Sequence, residues 1–452
     1  MKKLTLLLSD LVTFFAALSV TLLLRYGPGD FMAQYDLHAV PFSLLFLLWT
    51  LSFYITNLYE SRHLRNDMEF FGRLGQAVVV AGLLSVAFFY LIPLNIAPRT
   101  NLFIFIAVES LFIAGVRALY NRILASGSKK RLLIVGATEE AVELAQLVVN
   151  NPQLGWSVRA IVHLGQENLI PHTEGPWQLL DENAEIASFI REHRIDAVVI
   201  SPQAYGRDDL IAALYGAMGE RVDFYSLVSF SEALTGRVLL NAIGQQWFLD
   251  NIAENSKKSY ELVKRGMDIG FGIFLGIPTL ILLPIIALAV KLTSPGPIFF
   301  YQARTGRGGI PFFIIKFRTM RADAEAMTGA VWATTDDPRT TRVGRFLRRT
   351  RLDELPQLWN ILCGEMSLVG PRAERPEFDA KLVGQIPYYR ERYLIKPGLS
   401  GWAQINYSYG ASAQDALRKL EYDLYYIKHR SISLDIAIFL KTASIALRRE
   451  GR

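Results

Sequence analysis

Five long apolar runs constrain this 452-residue chain more than any other feature. Four of them fall at about residues 4–24, 40–59, 74–96 and 102–120. Each approaches the ~20 residues that a helix needs to cross a hydrocarbon core of ~30 Å. A four-helix transmembrane bundle is therefore expected over residues 1–125. The first run is too long for a cleaved signal peptide and lacks a small-residue exit site. Basic residues set the orientation. Lys2 and Lys3 precede the first run, and Arg62, Arg65 and Arg73 lie between the second and third. Arg117 lies near the end of the fourth and Arg122, Lys129, Lys130 and Arg131 follow it, whereas the other two connections hold little beyond Arg25 and Arg99. By the positive-inside rule both ends of the bundle face the cytoplasm. Almost no charge sits at mid-membrane depth, which argues against a transport pathway. A hydrophobic content of 51% and a mean hydropathy of +0.23 agree with a membrane protein. The net charge of +6 suits anionic lipid or a phosphorylated substrate as well as nucleic acid, so charge alone does not choose; nucleic acid is not among the expected partners.

From Lys130 the pattern becomes α/β. Arg131 to Gly136 reads as a buried strand ending in a tight turn, followed by an amphipathic helix over 139–149. Further strands are expected at 158–163 and 196–200, with a helix at 186–193 between them. This alternation predicts a Rossmann-like domain over 126–246 with a doubly wound parallel sheet. Its turn, Gly136-Ala137-Thr138-Glu139-Glu140-Ala141, lacks the second glycine that lets backbone approach a pyrophosphate. Two glutamates there would also repel one. The domain is expected to work without dinucleotide, in regulation or dimerisation.

A linker over 247–263 leads to the fifth apolar run, near 267–292. Lys264 and Arg265 open it, Lys291 closes it, and Pro278 and Pro284 interrupt it. Proline removes a backbone hydrogen bond and kinks a helix. A straight span would carry the arginine-rich remainder across the membrane. The sequence therefore predicts a re-entrant helix hairpin over 264–296, breaking at Pro278 or Pro284. A catalytic α/β domain would follow over 297–452. Cys363, the single cysteine, excludes an internal disulfide and a multi-cysteine zinc site. Its apolar neighbours mark it as a small core residue.

The chemistry-bearing residues lie in that last domain. Arg304 and the strand-like run Phe312 to Met320 come first, with Lys316 and Arg318 expected on one strand face. They would grip a diphosphate or guard a solvated sheet edge. Arg345, Arg348, Arg349 and Arg351 then precede Asp353-Glu354-Leu355-Pro356. Adjacent acids beside guanidinium groups point to phosphate chemistry, because Arg binds phosphate oxygens bidentately and would keep Asp353 ionised. The alternative is a capping aspartate before Pro356 on a solvated basic face. Gly370-Pro371-Arg372 and Lys396-Pro397-Gly398-Leu399-Ser400-Gly401-Trp402-Ala403-Gln404 follow. The glycines in the second allow close backbone approach. The stretch Ile386 to Tyr393 and Tyr422, Tyr425 and Tyr426 mix aromatic with charged residues. They fit either a headgroup zone or ordinary core-packed helices.

In order, Lys316-Phe317-Arg318-Thr319-Met320, Asp353-Glu354-Leu355-Pro356-Gln357-Leu358, Met366 to Arg372 and Lys396 to Gln404 strongly resemble the bacterial sugar transferase family. These are the monotopic polyprenyl-phosphate phosphoglycosyl transferases. The match covers about 258–452, and the segments ahead of it resemble the large, N-terminally extended subgroup. One departure is that the family hairpin bends at a Ser-Pro pair, whereas here the prolines follow Ile277 and Leu283.

The resemblance implies a two-step transfer. Asp353 would attack the sugar-bearing phosphate of a UDP-sugar, and undecaprenyl phosphate would then take the phosphosugar. Mg²⁺ would be held by Asp353 and substrate oxygens, with Glu354 as acid/base or as a more distant support for the ion. Arg348 and Arg372 would handle phosphate, helped by Lys316, Arg318, Arg304, Gly398 and Gln404. A homodimer in the bacterial inner membrane is implied, with its catalytic domain facing the cytoplasm. It would start exopolysaccharide, capsule or O-antigen synthesis. Galactose, glucose and N-acetylated sugars all remain compatible as the hexose. Competing readings are a catalytically silent scaffold that senses nucleotide-sugars and a glycosyl transferase that releases UDP.

Overall fold

A computed structural model describes residues 2–60, 64–92, 99–165, 175–181, 185–252, 257–321, 324, 339–407, 410 and 412–447. Arg62, the end of the third apolar run and residues 253–256 of the expected linker lie outside them. The chain divides into two compact units, Met1–Ser226 and Leu227–Arg452.

In the first unit, α1 (Lys2–Ile55), α2 (Met68–Leu91) and α3 (Arg99–Ser126) carry the first four apolar runs. Helix α1 contains two of them. It is two helical arms that meet at Gly27, where φ is 72° and ψ 175°. Only glycine enters that region without steric cost, and Pro28 follows directly. The polar stretch between the first two runs is thus helical, not a loop. The arms pack on each other: the Phe14 ring lies 5.1 Å from Phe46 and 4.8 Å from Phe105 of α3. The charges left in these apolar runs are drawn together. Arg117 donates to Asp10 at 2.6 Å, Tyr59 donates to the same oxygen at 2.7 Å, and Thr13 donates to Glu109 at 3.2 Å. Pairing is how charge survives inside an apolar bundle.

The α/β part of this unit contains β1 (Lys130–Val135), α4 (Glu139–Asn150), β2 (Trp156–Val162), β3 (Gln178–Leu180), α5 (Ile186–Glu192), β4 (Ala197–Ile200), α6 (Asp208–Gly216) and β5 (Asp223–Ser226). All strand pairs are parallel in the order β3-β2-β1-β4-β5. The expected parallel sheet is present. Residues Leu132 to Val135 and Ala197 to Val199 are fully buried, as both-face coverage of a parallel sheet requires.

The second unit begins earlier than the sequence implied. Helices α7 (Leu227–Thr235) and α8 (Gln245–Asn251) belong to it. Val228, Val238 and Leu240 join Leu358, Ile361, Leu368 and Leu424 in one core. Next comes α9 (Lys258–Thr293), then the antiparallel pair β6 (Phe299–Thr305) and β7 (Pro311–Phe317). Helices α10 (Arg342–Thr350) and α11 (Gln357–Cys363) precede β8 (Ser367–Val369), which pairs in parallel with β9 (Gly398–Ser400). Helices α12 (Pro376–Gln385), α13 (Trp402–Asn406), α14 (Ala413–His429) and α15 (Ile432–Leu447) complete the unit.

Two expectations change here. The fifth apolar run is one helix through both Pro278 and Pro284, not two helices with a break between them. Each proline forfeits one backbone hydrogen bond, and apolar surroundings favour keeping all the others. Cys363 is exposed, because α11 buries Leu358 and Ile361 and position 363 turns off that face. Of the two readings left open for the aromatic residues, core packing holds for Tyr389, Tyr422 and Tyr426, at 2%, 9% and 1% exposure.

Candidate active site

Helix α10 ends at Arg351, a non-glycine residue in the left-handed region at φ 60° and ψ 12°. Such backbone costs of order 1–3 kcal/mol and clusters at functional sites. The turn it makes drives Leu352–Glu354 inward as one turn of 3-10 helix. Asp353 and Glu354 are both buried, and neither caps α11, whose N-cap position is Pro356.

The two acids differ sharply. Glu354 accepts from Lys316 Nζ and Arg372 at 3.3 Å each and from Arg351 at 3.4 Å. Burial pushes its carboxyl up, but Lys316, Arg372 and Arg351 outweigh that and hold it far below the usual carboxylate range. Asp353 has no hydrogen bond or ion pair among the described residues. Burial and the Glu354 charge push its carboxyl up, against the opposing charges of Lys316, Arg348 and Arg351. The cations expected around Asp353 thus act most strongly on Glu354, whose carboxyl they hold down, whereas at Asp353 their pull is outweighed and the shift is upward. Burial also lowers Lys316, with Glu354 working against the shift.

Other elements hold this centre in place. Arg348 turns inward, its Nε donating to Thr319 Oγ1 at 2.9 Å and a terminal nitrogen to Thr340 Oγ1 at 3.3 Å. Arg372 is steadied through its carbonyl, which accepts from Arg392 at 3.1 Å. Arg304 donates to the Ala373 carbonyl at 3.0 Å and to Gln302 Oε1 at 2.5 Å, tying β6 to the segment after Arg372. Its charge acts on Lys316.

Arg318 and Gln404 are not brought into this cluster, and Gly398 reaches it only through its backbone, bridging Arg372 and donating its nitrogen to the Pro371 carbonyl at 2.8 Å. Strand β7 ends at Phe317, so alternation no longer governs Arg318. Its guanidinium donates to the carbonyls of Ser294 and Pro295, both at 2.7 Å, just past the end of α9. Orphan carbonyls at a helix C-terminus draw a cation. Gly398 serves backbone packing: a Cβ there would lie 2.1 Å from the Gly370 nitrogen. Gln404 donates to the Leu399 carbonyl at 3.4 Å.

One organising residue escaped sequence reasoning. The Asn360 amide donates to the Phe313 carbonyl at 2.8 Å and to Glu365 at 2.7 Å, and its oxygen accepts from the Ile315 nitrogen at 3.1 Å. It clamps β7, which carries Lys316, to the helix that follows Glu354. A polar residue within Leu358-Trp359-Asn360-Ile361-Leu362 was the signal. Asp268 does similar work, accepting from Ser367 Oγ at 3.0 Å and from the Leu368 nitrogen at 2.9 Å.

An ionised carboxylate fixed by three cations, beside a second, unpaired one, can bind and attack an electron-poor phosphate. Residues 259–449 match the family model described as bacterial sugar transferase, and residues 54–203 match one described as CoA-binding domain. The chain is 40% identical over 286 residues to the UDP-N-acetylgalactosamine-undecaprenyl-phosphate N-acetylgalactosaminephosphotransferase of Aeromonas hydrophila, covering 61% of this chain and 63% of that protein's length. It is 32% identical to the UDP-glucose:undecaprenyl-phosphate glucose-1-phosphate transferase of Klebsiella pneumoniae, covering 76% of this chain and 74% of the relative. Identity to the UDP-galactose-lipid carrier transferase of Erwinia amylovora is 28%, over 99% of this chain and 97% of that one.

Proposed function

The chain belongs to the bacterial sugar transferase family, and from this premise we propose that it moves a hexose-1-phosphate from a UDP-sugar to undecaprenyl phosphate. The observation that carries the reading is the unpaired, buried carboxylate of Asp353 beside a Glu354 already neutralised by three cations. In the first step an Asp353 oxygen attacks the sugar-bearing phosphorus. The phosphorus–oxygen bond to UMP breaks, and UMP leaves with its electron pair. In the second step a phosphate oxygen of the polyprenyl acceptor attacks the same phosphorus. Asp353 departs as carboxylate and the diphosphate-linked sugar is released. Arg372, Arg351 and Lys316 supply fixed positive charge where negative charge is handled, which is most of what phosphoryl transfer asks of a protein.

Magnesium fits this donor set as an ion shared with substrate. Among the described residues no group of three or more acidic, histidine or cysteine side chains forms a metal cage. Asp353 would give it one oxygen, and diphosphate oxygens of the substrate would supply others. When bound, the ion would offset diphosphate charge.

The membrane arrangement is part of the same proposal. The helical arms of α1 with α2 and α3 would form a transmembrane bundle in the inner membrane, and α9 would enter and leave at the cytoplasmic face. Both ends of α9 pack on the second unit, which supports re-entry. Arg265 donates to the Ile361 and Leu362 carbonyls at 2.6 and 2.7 Å, while Ile286 and Val290 pack with Phe317 and Leu347. A homodimer is proposed by analogy with the extended subgroup. The product would open synthesis of an exopolysaccharide, capsule or O-antigen.

The test is nucleotide release by the full-length protein with undecaprenyl phosphate, magnesium and a panel of UDP-glucose, UDP-galactose and their N-acetylated counterparts. UMP from at least one sugar is expected. UDP as product, or no release from any sugar, would overturn the reading.

A further inference from the structure

Helix α10 is basic on two faces, and the chemistry above uses only one. Arg348 turns inward to Thr319 and Thr340. Arg342, Arg345 and Arg349, spaced i, i+3 and i+7, are exposed together with Phe346 and share one side of the helix. With Thr350 they line a shallow basin of about 230 Å³. None of the three guanidinium groups has a hydrogen bond or ion pair among the described residues, and the Phe346 ring is 59% exposed. The three crowded like charges repel one another, and the ring beside them leaves most of its surface open.

The surroundings suggest what the face is for. On the opposite side of α10, Leu347 and Val343 pack against Ile286 and Val290 near the end of α9. The outer surface of α9 at that level is apolar and open, with Ile285 66%, Leu288 60% and Leu292 77% exposed. The arginine face therefore borders the apolar surface of the helix read as entering the membrane. Arginine beside an aromatic ring at such a border matches an interfacial helix, with guanidinium groups at the phosphates and the ring below them.

We propose that the Arg342–Arg345–Arg349 face of α10 is a docking surface for anionic phospholipid headgroups, with Phe346 seated among the acyl chains beneath them. Each arginine near an anionic surface is worth about a fivefold gain in local partitioning. The face would hold the Asp353 turn, which follows α10 directly, at a fixed height above the bilayer. The proposal needs α9 to meet the membrane, but not the transfer reaction.

The test uses the full-length protein in lipid nanodiscs, with Cys363→Ser and a bimane fluorophore on Thr350→Cys. Phosphatidylcholine nanodiscs receive the same small fraction of either phosphatidylglycerol or phosphatidylcholine carrying a nitroxide near the headgroup. Quenching by the phosphatidylglycerol form should exceed that by the phosphatidylcholine form at least threefold. The triple variant R342Q/R345Q/R349Q should bring the ratio to about one at an unchanged melting midpoint. The charge-conserving triple to lysine should keep it above two. A ratio of one with the native face, or a lysine triple that also falls to one, would overturn the proposal. So would loss of the difference on adding millimolar UMP, which would make the occupant a nucleotide phosphate instead of a lipid.

Discussion

Two sets of buried charges in the second unit meet different standards. Along α14 and α15 the pairs are short: Arg237–Glu421 and Arg392–Asp423 at 2.9 Å and Lys264–Asp435 at 2.8 Å. Each joins segments far apart in sequence. Around Glu354 the three cations stand at 3.3 to 3.4 Å, and two of them, Arg372 and Arg351, have side chains 32% and 37% exposed. Asp353 beside them has no partner among the described residues. The first set ties distant segments of the fold together, whereas the second leaves two of its donors part-exposed and one carboxylate unpaired. A buried charge without a partner costs stability, so a site that tolerates one must recover that cost in binding or catalysis.

This contrast can be broken most sharply at Asp353. Asp353→Asn should reduce UMP release by about 1,000-fold or more, while the melting midpoint in detergent stays level or rises. It should not fall, because the amide removes a buried charge that the fold leaves unpaired. Loss of activity together with a lowered midpoint would show that both sets of charges are structural.

At Asp423 the opposite is expected. Asp423→Ala leaves the Arg392 guanidinium buried and uncompensated, which costs about 3–5 kcal/mol. Thermal unfolding should show a clearly lower midpoint, and pairing the change with Arg392→Met should recover much of it. A variant that melts like the parent would remove the distinction between the two sets.

A smaller effect is expected at Arg372. Arg372→Lys keeps the charge but loses the planar fork, and should lower kcat/KM by about 10- to 100-fold with little change in melting. An unaltered kcat/KM would show that point charge alone suffices there.

The pH dependence gives the finest comparison. Asp353 attacks only as carboxylate and its pKa is raised, so the acid limb of kcat/KM should lie above the range of an ordinary aspartate at 3.8. Glu354→Gln removes the neighbouring negative charge and should move that limb to lower pH in whatever activity remains. For stability the two acids have opposite signs. The depressed Glu354 contributes above its ordinary 4.5 and loses that contribution as pH falls. The raised Asp353 contributes at low pH and loses it as pH rises. A limb that stays put in Glu354→Gln would mean that the titrating group is not Asp353.

Much of this centre was legible in the sequence because neighbours in the chain remain neighbours in space. Asp353 and Glu354 share one turn, and Arg351 and Arg348 lie within a turn or two of them. Lys316 followed from strand alternation, which holds up to Phe317. The parallel sheet was equally plain, since buried strands such as Leu132 to Val135 read as continuous apolar runs. What failed depended on distant contacts. Arg318 lies one residue beyond its strand, and only the returning end of α9 gives its guanidinium a task. Gly398 is dictated by the backbone of Gly370, which no local spacing reveals. The division of labour between the two acids was hidden for the same reason. It rests on Lys316 and Arg372, 38 and 18 residues away from Glu354 in the chain, which choose Glu354 over Asp353.

The most direct measurement is the mass of the Asp353 peptide after the full-length protein is mixed with UDP-sugar and magnesium, with undecaprenyl phosphate withheld. The peptide should gain one hexose-phosphate at Asp353 and lose it again when the acceptor is added, with one UMP released per site. An unmodified Asp353 under conditions that release UMP, or the adduct on another residue, would contradict the central claim.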